Sequence, residues 1–146
     1  MNISEIYKTP KSEILEYTEK SPALIKVVYA LTLGVVLLGI ADMFLVYEPG
    51  SEDIEFEVEM FAFFAFINIG IGWLICNPVA KKSDKSSRIP LFLIILDILV
   101  IAFNVYDGTF VGDLDDAILI LELGLLVAIF FILKSKKGML WCNQKL

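Results

Sequence analysis

The segment Ile89–Tyr106, IPLFLIILDILVIAFNVY, is a continuous apolar run with one carboxylate, Asp97, at its centre. Its eighteen residues rise about 27 Å as a helix, close to the hydrocarbon thickness of a bilayer. Lipid offers no water to an open backbone, so a run of this length crosses a membrane as a helix. An acid at that depth costs about 3 kcal/mol on insertion scales and needs a partner or a purpose.

Three more apolar runs accompany it, giving expected spans over residues 22–47, 56–76, 89–106 and 116–134. The chain has 146 residues and is 58% hydrophobic, above the apolar share of an ordinary soluble domain. It therefore reads as one all-α domain, 1–146, a polytopic membrane protein built as a four-helix bundle. There is no histidine, which removes the commonest metal ligand and the usual general base. Cys76 and Cys142 are too far apart for a Cys-x-x-Cys motif, so neither a metal site nor a cofactor is expected.

Residues 1–21 are polar and mix acids with lysines, unlike the short basic start and early apolar core of a secretory signal. Thr9-Pro10 opens a short helix that either lies in the membrane interface or is simply solvated. Ser21-Pro22 restarts the helix as the first span, and Glu48-Pro49-Gly50-Ser51 turns the chain. In the stretch after it, Ile54, Phe56 and Val58 alternate with Glu55, Glu57 and Glu59, which is a strand pattern. A helix is expected there nonetheless, because Ser51-Glu52-Asp53 is a strong helix start and an apolar run follows directly. Asn77-Pro78 is expected to end the second span, and Tyr106-Asp107-Gly108 the third. Val-Tyr followed by an acidic, glycine-containing turn ends both the first and third spans, a faint internal repeat.

Basic residues set the orientation. The 12 Lys and Arg fall four in residues 1–26, four in residues 81–88 and four in residues 134–145. By the positive-inside rule both termini and the loop 77–88 are cytoplasmic at the cell membrane, and the loops 48–59 and 107–116 face out.

Counting residues from the cytoplasmic ends gives depths. Asn68 and Asp97 come at about 13 Å, Glu122 at about 18 Å, and Asp42 and Asn104 at about 24 Å, with Glu59 near the outer surface. These six polar residues form a ladder rising to an acidic mouth. Small residues mark packing faces: Ala30 with Gly34 on the first span, Ala65 with Gly72 on the second, and Gly124 with Ala128 on the fourth.

Two readings of the ladder stand side by side. In one, outer acids concentrate a cation or protons and the buried acids Asp97 and Glu122 relay them. In the other, Asp97 hydrogen-bonds to Asn68 and merely holds helices together. The small-residue faces favour a non-enzymatic membrane protein, an accessory or assembly subunit or a small homo-oligomer, with a cation or proton channel or transporter as the alternative. No enzyme motif is present: there is no His-Glu-x-x-His, no phosphate-binding glycine loop and no Gly-x-Ser-x-Gly. The acidic stretch Asp107–Asp116 lacks the spacing of an EF-hand loop. Expected partners are the lipid bilayer, further copies or other membrane subunits, and a cation or proton. The loop 77–88 is too short to recognise nucleic acid.

Overall fold

A computed structural model describes residues 23–46 and 54–143. The expectations for the N-terminal helix, the Ser21 cap and the Glu48–Ser51 turn lie outside these residues. Five helices account for the described chain, with no strand among them: α1 (Ala23–Val46), α2 (Ile54–Ala80), α3 (Arg88–Asp107), α4 (Leu114–Lys134) and α5 (Lys136–Cys142). Four of them are long and apolar enough to cross a membrane, over Ala23–Phe44, Val58–Ala80, Arg88–Asp107 and Leu114–Lys134. The alternating acids after residue 53 are helical. A long apolar segment propagates helix back through them, since each added residue gains one backbone bond at little further entropy cost.

Local chemistry sets the ends. Asp113 caps α4, its Oδ1 accepting the Asp116 N–H at 3.1 Å, and Asp115 and Asp116 sit in the first turn where the helix dipole favours anions. Gly108 closes α3 with φ of 76°, a left-handed conformation that glycine adopts without strain.

Two boundaries differ from expectation. The second helix does not stop at Cys76 but runs through Pro78 to Ala80. A proline near a helix end forgoes few backbone bonds, and the Lys81 and Ser83 N–H groups take up the Asn77 and Pro78 carbonyls. Beyond the expected end of the fourth span at residue 134, Lys136–Cys142 form α5, which folds back on the bundle. Ser135 ends α4 in an extended conformation and caps α5, its Oγ accepting the Gly138 N–H at 3.1 Å. Trp141 Nε1 donates to the Val79 carbonyl at 3.3 Å, and Ser86 Oγ donates to Cys142 Sγ at 3.0 Å.

The order of packing departs from the order of the chain. α1 packs on both α2 and α4, and α3 packs on α4, whereas α2 and α3 touch only marginally. The sequence of contacts is thus α2–α1–α4–α3. Glycine allows the closest approach: a Cβ on Gly72 would lie 2.6 Å from Val36 Cγ2, and one on Gly39 would run into the Asn68 amide. Val36 is stiff at χ1 and cannot swing aside freely. Gly72→Ala should therefore push α1 from α2 and cost about 1–3 kcal/mol, the usual range for overpacking. Gly70, which has nothing within 4 Å, is the control. Gly70→Ala should be neutral or mildly stabilising in the same detergent unfolding titration, and equal effects at both positions would disprove this account of the α1–α2 contact.

Burial is uneven along the bundle. The buried apolar residues of the spans are Ile25, Val28 and Val35 on α1, Ile75 and Val79 on α2, Ile94 on α3, and Leu126, Ile129 and Leu133 on α4. All belong to the half toward the lysine-bearing loop 81–88, hereafter the basic end, or to the mid-level just above it. Trp141 and Cys142 of α5 complete that plug from below. Toward the opposite, acidic end the helices share no such core among the described residues.

Candidate functional site

Directly above the plug, helix periodicity brings acids inward. On α1, Asp42 continues the stripe Val28, Thr32, Val35 and Gly39 at steps of three and four. On α3, Asp97 follows Pro90 and Ile94, and Ile101 and Asn104 extend the row. On α4, Glu122 lies one turn before Leu126 and two turns after Asp115. All three acids are half-buried. Because α4 stands between α1 and α3, the three converge. Glu122 is close enough to Asp97 and to Asp42 for their charges to act on it. Asp42 in turn feels Asp115, which is exposed in the first turn of α4 at the acidic end. The order from mouth to centre is Asp115, Asp42, Glu122, Asp97.

The centre is short of partners. Asp97 Oδ2 is buried and has no hydrogen bond. The spans supply no lysine or arginine beside it, since between Lys26 and Lys134 the basic residues are confined to positions 81–88. The three carboxylates nevertheless do not form a chelate: among the described residues no group of three His, Cys, Asp or Glu side chains is placed to hold a metal ion. Buried carboxyls without a cationic partner favour their neutral, protonated form.

The other expected members are placed as follows. Asn68 does not meet Asp97. Its Nδ2 donates to the Phe64 carbonyl at 3.2 Å, and its amide lies against Gly39 on α1. The reason is the order of helices, which separates α2 from α3. Asn104 is half-buried, and its backbone carbonyl accepts the Thr109 and Phe110 N–H groups at 3.0 and 3.1 Å, closing the end of α3. Glu59 is exposed on α2. Of the small residues, Gly72 is buried and Ala65, Gly34 and Ala128 are half-buried, while Ala30 and Gly124 face outward.

Three residues matter more than the sequence suggested. Asp115, exposed in the first turn of α4, is near enough for its charge to act on Asp42, which chain order alone does not reveal. Thr32 is a buried hydroxyl in the plug, donating to the Val28 carbonyl at 2.8 Å, and its place on the apolar stripe was the available signal. Asp116 is 6% exposed and accepts the Val111 and Gly112 N–H groups at 2.9 and 2.7 Å. It folds the loop rather than lining the mouth. Comparison with protein-family models, curated proteins and solved structures finds no match to this chain, so the site rests on its own geometry.

Proposed function

We propose that this protein passes protons or a monovalent cation along Asp115, Asp42, Glu122 and Asp97. The reading is supported by one observation: half-buried acids on three helices, Asp42, Asp97 and Glu122, lie near enough for their charges to interact, on the acidic-end side of the packed apolar core. Intramembrane acids are costly, and a pathway is the commonest use for a group of them. The acidic end would gather cations by its field, and the half-buried carboxylates would replace part of their hydration. Crossing to the basic end then requires the plug around Val28, Val35, Ile75 and Leu126 to part, so gating by helix movement would set the rate. Purified protein in liposomes should dissipate a proton or alkali-cation gradient, and a wild type that moves neither would defeat the proposal.

The same reading puts the basic end in the cytoplasm, with both termini there and the acidic end outside the cell membrane. Two substitutions test it. Thr109→Cys, exposed in the acidic loop, should react with an impermeant maleimide on intact cells, whereas Lys85→Cys should react only after permeabilisation. Thr109 is preferred to Gly108, whose positive φ any side chain would strain. The reverse pattern would invert the topology.

A second reading, an accessory subunit or small homo-oligomer, is favoured by the outward-facing Ala30 and Gly124 on the adjacent helices α1 and α4. Small residues on a lipid face let another helix approach. Mild-detergent purification from native membranes separates the two: one chain alone supports the pathway acting unaided, and a stoichiometric partner or multiple copies supports assembly.

A further inference from the structure

The basic end carries a feature that the acid pathway does not use. Lys81, Lys85 and Arg88 on one side and Lys134, Lys136 and Lys137 on the other are all exposed, and Asp84 is the only acid among these loop and helix-end positions. The fold brings the two groups together, because Trp141 of α5 is hydrogen-bonded to the end of α2 and Lys82 Nζ lies 4.5 Å from the Trp141 ring centroid. On α5, Gly138, Trp141 and Cys142 face the bundle. That leaves Lys136, Lys137, Met139 and Leu140 exposed on the other face, with Leu140 one turn after Lys136.

Position decides what such a face meets. The last span ends at Lys134, two residues before α5 begins. A helix docked on the bundle end keeps its side chains within about 10 Å, one helix diameter, of the hydrocarbon edge. The headgroup layer spans about 5–7 Å beyond that edge on each side. Leucine and methionine beside lysines suit this layer: the apolar ends dip toward the acyl chains while ammonium groups pair with phosphates.

We infer that the basic end, formed by α5 together with Lys81, Lys85 and Arg88, is a binding surface for the phosphate headgroups of anionic lipids. The inference does not depend on the transport reading, since it uses none of the acids. The test takes the full chain in nanodiscs of phosphatidylcholine alone or mixed with phosphatidylglycerol, and reads co-isolated lipid after extraction by native mass spectrometry. Phosphatidylglycerol should be enriched over its share in the disc, and less so as salt rises. The variant Lys81→Gln/Lys85→Gln/Lys137→Gln should lower that enrichment by up to about fivefold for each lysine removed. Thermal stability of this variant in pure phosphatidylcholine should match wild type, which separates lost lipid binding from misfolding. Inorganic phosphate at millimolar concentration should not displace the lipid. Lipid retained in proportion to its abundance, enrichment undiminished in the variant, or displacement by free phosphate would each overturn the assignment.

Discussion

Asp97→Asn in reconstituted protein should abolish flux while leaving the bundle as stable as wild type. Asparagine keeps the size of the side chain and its hydrogen bonding but cannot ionise or exchange a proton. Stability should hold because Asp97 Oδ2 is buried without a hydrogen bond, so no native partner is stranded by the change. Glu122→Gln should act in the same direction, since Glu122 lies between Asp42 and Asp97 on the proposed path and feels the charge of both. Asp97→Leu sharpens the distinction. If Asp97 were there to satisfy Asn68, leucine would loosen the bundle, but Asn68 is bonded to Phe64 within its own helix. Leucine should therefore stop flux and leave unfolding in detergent unchanged or slightly harder.

The outer acids need separate treatment. Neutralising Asp113, Asp115 and Asp116 together would confuse field with fold, because Asp113 caps α4 and Asp116 holds the loop backbone. Asp115→Asn alone should lower flux at low salt and lose its effect as salt rises, because the screening length falls from about 10 Å at 0.1 M to about 3 Å at 1 M. Flux that survives Asp97→Asn would remove the pathway from this site altogether.

The spans were legible in the sequence because each is an uninterrupted apolar run longer than any soluble helix face requires. Their termini were legible where a single residue type dictates the backbone, as at Gly108, whereas the Asp113 cap and the start of α4 at Leu114 were not read from the sequence. Neighbour order was not. Periodicity tells which residues share a face, but it cannot say whether Asp97 looks toward α2 or α4. Chain adjacency suggested α2 and hence Asn68, whereas packing chose α4 and hence Glu122. Helix rotation was hidden for the same reason. Gly34 and Gly124 look alike as small residues in apolar runs, yet Leu125 packs over the first and nothing covers the second. The seven residues of α5 were missed because their docking depends on the Val79 carbonyl and on Ser86, both distant in sequence, not on a local apolar period.

Gly138→Ala should release α5 from the end of the bundle. A Cβ at this position would run into the Ile132 carbonyl oxygen and lie 2.9 Å from that of Leu133. Both obstacles are backbone of the last turn of α4, which cannot rotate away as a side chain can, so α5 must lift. Lifting it breaks the Trp141–Val79 and Ser86–Cys142 hydrogen bonds and exposes Cys142, which is 3% accessible when docked. Burying a large apolar side chain contributes about 1.5–3 kcal/mol, so losing the Trp141 contact should raise maleimide labelling of Cys142 by about ten- to a hundredfold. The rate is read on the full chain in detergent, with Cys76 in α2 as the internal control that should not change. Ser135→Ala should give a smaller increase, since a helix cap is worth about 1 kcal/mol. Rapid labelling of Cys142 in the wild type, or no acceleration in Gly138→Ala, would mean that α5 is not docked against α4.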